Sequence, residues 1–172
     1  MPEVYIEIPK GNNVKYEHNH NSNKLTVDRF LQSAYIYPGN YGYIPHTLSP
    51  DGDPLDCLVM CDYSLFPTAY IDCRIIGAIL TEDEKGGDDK IIAYPNSCID
   101  PENSHINDIT DMNPMLLNKI TNFFENYKNL EKGKFVKVKK IANAEEAQKI
   151  YEQSILNYNC NLSNTNSINT TH

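Results

Sequence analysis

The sequence predicts a mainly β fold with α (α+β), a small antiparallel barrel or sandwich followed by two helices, on three observations. Short strand-type runs fill its first two-thirds, Gly, Pro, Asn and Asp clusters separate them, and two segments of helical period come near the end. The strand-type runs are Val4 to Ile8, Val14 to Glu17, Lys24 to Val27, Leu55 to Cys61, Tyr70 to Leu80 and Lys90 to Tyr94. The turn-forming clusters between them predict long loops, which is where function concentrates.

The first helix has a start signal in Asn113, a capping residue, and Pro114, which suits the first helical position. Leu116, Leu117, Ile120, Phe123, Phe124 and Tyr127 then recur at helical spacing, and Gly133 ends the helix or a short extension of it. A strand is predicted over Phe135 to Ile141. Asn143 with Glu146 three residues on resembles a capping box, and Ala147, Ile150, Tyr151 and Ile155 share one face of the second helix. Both apolar faces need a sheet to cover. The expected division is one domain over residues 1–157 and a disordered, asparagine-rich tail over 158–172, whose polar composition carries no apolar period.

A chain of 172 residues is long enough to bury about 70% of the surface its unfolded form exposes. The net charge of -8 and the absence of a clustered Lys/Arg run argue against a nucleic-acid partner. An acidic chain that binds a polyanion needs metal ions to do so. Cys57, Cys61, Cys73, Cys98 and Cys160 form no C-x-x-C pair, and the first three lie in apolar runs, so buried free thiols in a reducing compartment are expected. No leader and no apolar stretch of about 18 residues is visible, so a cytoplasmic protein with no membrane partner is expected.

Chemistry concentrates in Asp51-Gly52-Asp53-Pro54-Leu55-Asp56, where three carboxylates precede an apolar strand. Hard cations such as Mg²⁺ take oxygen ligands, and a stiff Gly/Pro turn can aim several at one point. Taken alone, the hexapeptide reads more often as a solvated turn. A second acidic loop, Glu82 to Lys90, taken alone reads as an exposed hairpin loop; two acidic loops on one small barrel can instead converge on several metals. Phosphate-gripping cations and phenols are available in Lys15-Tyr16-Glu17, Asp28-Arg29-Phe30, Tyr37 to Tyr43, and Tyr127-Lys128. Each alone has a structural reading in sheet packing or at a helix end.

Together, in order and with compatible spacing, these segments resemble the family I soluble inorganic pyrophosphatases of prokaryotic type. The likeness also takes in Glu7-Ile8-Pro9, Phe123 to Lys128 and Leu130 to Lys134, and it runs from about Ile6 to Ile155. It implies an OB-like five-stranded β-barrel flanked by two C-terminal helices, hydrolysis of pyrophosphate to two orthophosphates by a metal-activated water, several Mg²⁺ per site, and a homohexamer. Carried over, Asp51, Asp56 and Asp88 would hold the metals that bridge the attacking water, Asp83 with Asp88 would hold a metal on pyrophosphate, and Glu17 would orient a further one. Glu7 would act behind them. Lys15, Arg29 and Tyr41 would grip the electrophilic phosphate, Lys90, Tyr127 and Lys128 the leaving one, and Asp53 would accept the proton. Asp88 keeps the family's two-residue step to Lys90, so Asp89 is expected to face solvent. Phe135 stands where many relatives carry Trp.

Three rivals use some of the same residues. A calcium-binding module would have no use for Lys15, Arg29, Tyr41, Tyr127 and Lys128. A metal-dependent phosphodiesterase would need a channel for a nucleotide. His18-x-His20 could suggest zinc, but it lacks partners at tetrahedral spacing.

Overall fold

The structure, a computed structural model, describes all residues except His20 and 169–172. In chain order its strands are β1 (Glu3–Ile8), β2 (Val14–Asn19), β3 (Lys24–Phe30), β4 (Asn40–Ile44), β5 (Leu55–Val59), β6 (Tyr70–Asp83), β7 (Gly86–Gly87), β8 (Lys90–Pro95) and β9 (Val136–Asn143). Helix α1 (Pro114–Asn126) precedes β9 and helix α2 (Ala144–Ile168) follows it. Among the described residues, no helix is long and apolar enough to cross a membrane.

Five strands close on themselves in the order β1-β4-β5-β8-β6, because β1 pairs with both β4 and β6. This closed ring, with two helices against it, is the OB-like barrel expected. Strand β6 is long enough to pair with β1 at its start, β8 through its middle and β9 toward its end. A register shift between Ile75 and Gly77 interrupts the β6–β8 ladder, and such a bulge bends a strand as a small barrel requires.

The barrel is not wholly antiparallel as predicted, since β5 and β8 run parallel, Asp56 opposite Lys90 and Val59 opposite Ala93. Strand patterns report burial and are silent on which neighbour a strand takes. Nor was β4 predicted as a strand, because Asn40-Tyr41-Gly42-Tyr43 reads as turn and phenol chemistry. It is nonetheless buried throughout and paired on both edges. Gly42 permits this: a Cβ there would lie 1.8 Å from the Tyr5 carbonyl oxygen, so only glycine lets β1 and β4 approach at this point.

Successive residues of β5 and β8 enter two different apolar clusters. Leu58, Ile92 and Tyr94 join the cluster containing Phe123 and Phe124 of α1, while Cys57, Val59, Ile91 and Ala93 join the one containing Ala147 of α2. With both faces covered, these strands read as continuous apolar runs.

Both predicted capping asparagines act at the helix starts, although the reciprocal half of the Asn143 capping box is missing because the Glu146 carboxylate pairs with Lys140. The Asn113 side chain accepts from the Met115 amide at 2.9 Å with Pro114 at the first turn, and the Asn143 side chain accepts from the Glu146 amide at 2.9 Å. The predicted disordered tail does not describe residues 158–168, since α2 continues to Ile168; residues 169–172 lie outside the described residues. Side chains from Asn159 to Asn164 are exposed, and an established helix can lengthen by one backbone hydrogen bond per residue without a fresh nucleus.

Candidate active site

All the site residues expected from the sequence line one open cleft of about 270 Å³ at the barrel mouth. Strand β1 supplies Glu7, β2 supplies Lys15 and Glu17, β3 supplies Arg29, and β4 supplies Tyr41. Asp51 and Asp53 come from the turn before β5, and Asp56 from β5 itself. The end of β6 supplies Asp83, the β7–β8 link Asp88, and β8 Lys90, while Tyr127 and Lys128 follow α1.

The turn bearing the first two aspartates is held by its own backbone. The Ser49 amide donates to the Asp53 carbonyl at 2.8 Å, the Gly52 amide to the Ser49 carbonyl at 3.0 Å, and the Asp53 amide to Asp51 Oδ1 at 3.1 Å. Gly52 has φ +93°, a conformation that other residues adopt only under strain. Asp51 and Asp53 are thereby exposed at the cleft.

Deeper in, cations and phenols interleave with the acids. Tyr41 donates to Asp56 Oδ2 at 2.6 Å, and the buried Lys90 ammonium bonds both Asp56 and Asp88. Lys128 donates to Asp83 Oδ2 at 3.0 Å, and the Lys85 amide donates to Asp83 Oδ1 at 2.8 Å. On the hairpin wall, Lys15 bonds Glu17 and also Asp28 Oδ2, the latter at 3.1 Å. Arg29 is spread between Asp28 Oδ2 at 2.7 Å and Glu131 Oε1 at 3.1 Å. Glu131 therefore orients Arg29 across a separation in the chain that no local motif discloses.

Charge states follow from these contacts. Burial works against the Lys90 charge, but Asp56 and Asp88 outweigh it and hold the ammonium protonated beyond the ordinary lysine range. Burial also opposes ionisation of Asp83; the Lys85 amide and Lys128 more than offset it, so its pKa falls. Burial drives the Tyr41 and Tyr127 phenols far up, leaving both as neutral donors. Asp51 is raised by burial and then by Asp53, Asp88 and Asp56, against the opposing bond from the Asp53 amide.

That crowding of like charge is what a divalent cation would relieve. Among the described residues no three His, Cys, Asp or Glu side chains already form a metal cage. The carboxylates are instead distributed round the cleft, which suits a small hard cation that keeps several waters and takes one or two carboxylates together with substrate oxygens. Asp51, Asp56, Asp83, Asp88 and Glu17 supply such an all-oxygen set.

Asp89, expected to face solvent, is half-buried and lines the cleft. Thr81 takes the Asp88 amide on its carbonyl at 2.9 Å and donates its hydroxyl to the Asp88 carbonyl. Those bonds fold the link tightly onto β6, which defeats a simple alternation rule. His18, Tyr43 and Lys85 also line the cleft; Tyr43 and Lys85 fall within the Tyr37 to Tyr43 and Glu82 to Lys90 segments, where no individual role is expected of them. The first belongs to the His18-x-His20 pair, whose second member His20 lies outside the described residues.

Glu7 has the most informative acidity. Burial lifts its pKa from 4.5 to about 7, Asp56 and Glu17 add to the rise, and the His18 amide opposes it, donating to Glu7 Oε1 at 2.7 Å. Because the folded pKa lies above the ordinary one, Glu7 favours folding fully below about pH 4.5 and loses that contribution as pH rises through 7. Glu7→Gln keeps an oxygen for the His18 amide. It is expected to match wild type at pH 4 and to exceed it by about 2–3 kcal/mol at pH 8 without divalent cations, as urea denaturation at both pH values would record.

Residues 4–159 match the family model for inorganic pyrophosphatase. The chain is 53% identical over 158 residues to the inorganic pyrophosphatase of Nanoarchaeum equitans, covering 91% of this chain and 98% of that protein. It is 48% identical over 153 residues to that of Campylobacter jejuni, covering 89% of each. The solved Helicobacter pylori inorganic pyrophosphatase superposes with a TM-score of 0.90 at 46% identity, over 91% of this chain and 92% of that one. With the same barrel, the same family model along nearly its whole length and relatives near half identity, this chain belongs to the inorganic pyrophosphatase family.

Proposed function

We propose that the chain hydrolyses inorganic pyrophosphate to two orthophosphates by direct attack of water, with Mg²⁺ as its cofactor. The observation that carries this reading is the convergence, in one cleft, of five acidic oxygen donors with Lys15, Arg29, Lys90 and Lys128 and two neutral phenols. A calcium-binding module needs only the first half of that set.

Asp51, Asp56, Asp83, Asp88 and Glu17 would hold the cations, with Glu7 bracing the strand that carries Glu17. When bound, Mg²⁺ supplies charge neutralisation of the phosphate oxygens and increased acidity of water. Lys15, Arg29 and Tyr41 hold the phosphate under attack. Asp53 takes a proton from the attacking water as its oxygen bonds to phosphorus, and the bond to the bridging oxygen breaks. Lys90, Tyr127 and Lys128 stabilise charge that grows on the departing phosphate, with donors already in place to meet it. Each of these lysines already faces a carboxylate, Lys90 those of Asp56 and Asp88 and Lys128 that of Asp83.

The proposal extends to a cytoplasmic homo-oligomer, a hexamer by family likeness. The five free cysteines support a reducing compartment, and exposed Tyr63, Phe66 and Tyr70 support association between copies. The activity is tested by phosphate release in Mg²⁺ from pyrophosphate, ATP and p-nitrophenyl phosphate. Rapid release from pyrophosphate with background release from the other two is expected. Comparable release from all three would overturn the substrate assignment.

A further inference from the structure

The β2–β3 hairpin carries Lys15, Glu17 and Arg29, yet it forms a two-stranded sheet of its own and shares no ladder with the barrel. Hydrogen bonds outside a sheet ladder must therefore set its distance from the other cleft walls, and at the hairpin base backbone bonds between Asn12 and Tyr37 and between Gly11 and Tyr37 do so. His18 makes that connection at the far end of β2. Its backbone amide donates to Glu7 Oε1 of β1, its Nδ1 lies 2.8 Å from the Tyr43 hydroxyl of β4, and its Nε2 lies 3.0 Å from Asn23 Oδ1. The ring also packs 4.7 Å from Tyr5 and stacks at 6.0 Å on Tyr43.

The bond directions follow from the partners. Asn23 presents a carbonyl oxygen, so Nε2 carries the ring proton and Nδ1 accepts from the Tyr43 hydroxyl. Asn23 has φ +52° in the turn between β2 and β3, so the ring spans from the hairpin's turn to the barrel. Tyr43 is paired in register with Asp56 on β5. The contacts thus run from the hairpin turn through His18 and Tyr43 to the strand that bears a central carboxylate.

We propose that His18 is a positioning residue, a latch that holds the hairpin's phosphate-gripping side chains at their working distance from the Asp56 wall. This rests on the pyrophosphatase reading for its kinetic consequence, though the latch itself is independent of substrate. A ring that only filled space would be replaceable by phenylalanine. A latch would not be, because it acts through both ring nitrogens.

The test compares wild type with His18→Phe, which keeps a ring against Tyr5 and Tyr43 and removes both ring-nitrogen bonds, and His18→Asn, which places an amide near the Nδ1 position. His18→Phe is expected to raise the KM for pyrophosphate about three- to tenfold, the scale of one or two lost neutral hydrogen bonds, with a much smaller change in kcat. Amide exchange should quicken in residues 14–30 and stay unchanged in β5 and β8. His18→Asn should recover most of the KM, and adding Tyr43→Phe to His18→Phe should cost little more than either alone, as for two halves of one contact. A His18→Phe protein with wild-type KM and wild-type hairpin exchange would overturn the latch, as would faster exchange throughout the barrel, which marks a general packing role. Wild type that releases no phosphate from pyrophosphate would instead defeat the functional reading, and the exchange comparison would still decide on the latch.

Discussion

Asp53→Asn is expected to lower the maximal rate of pyrophosphate hydrolysis by about 10² to 10⁴-fold at saturating Mg²⁺, roughly 3 to 5 kcal/mol of barrier. The side chain sits exposed at the cleft between Asp51 and Asp56, on a turn whose amide is tied to Asp51 Oδ1 and whose carbonyl accepts from Ser49. That anchoring keeps the carboxylate aimed at the cleft whether or not a proton sits on it. Asparagine preserves shape and hydrogen-bonding reach but cannot accept the proton of the attacking water. Binding of Mg²⁺ and pyrophosphate should therefore survive while turnover falls. The pH-rate profile should also shift alkaline, because the variant depends on hydroxide formed without the carboxylate. The measurement is maximal rate against pH for both proteins at saturating Mg²⁺. Recovery of the variant to near wild-type rate by more Mg²⁺ alone would show that Asp53 holds a cation and is not the base.

Exhaustive removal of divalent cations is expected to abolish turnover, with Mg²⁺ restoring it and Ca²⁺ inhibiting. Without added cations the acids of the cleft are only partly neutralised internally: Asp56 and Asp88 share Lys90, Asp83 meets Lys128, and Glu17 shares Lys15 with Asp28. Asp51 has no such lysine in reach, and its neighbours push its proton affinity up. Cations would satisfy that wall and free the lysines for phosphate oxygens. Ca²⁺ satisfies the charge but accepts longer bonds and looser geometry than the octahedral Mg²⁺, so it should bind and misplace the substrate. A readout independent of rate is thermal stability. Binding to the folded state alone adds about 2.7 kcal/mol at a hundredfold excess over Kd, so Mg²⁺ should raise the melting temperature and Asp51→Asn should blunt the rise. Full turnover in chelator, or a melting temperature indifferent to Mg²⁺, would defeat the multi-cation reading.

The sequence alone was enough to identify the residues that converge. Carboxylates in a Gly/Pro turn, phenols beside glycine, and a lysine after an aromatic helix face each admit a structural reading alone; in order and at compatible spacing they carry the family resemblance that named the site residues, and those residues do line one cleft. Local chemistry likewise determined the helix starts at Asn113 and Asn143, since a capping side chain meets amides only two or three residues away. Tertiary structure decided the rest. The parallel β5–β8 seam, the buried strand β4 and the half-buried Asp89 each depend on which distant segment lies alongside, and residue periodicity carries burial without identity of the neighbour. His18 shows the limit most plainly: its partners lie on β1, β4 and the hairpin turn, so nothing in its own stretch of chain could tell a solvated histidine from one that ties a separate hairpin to the barrel.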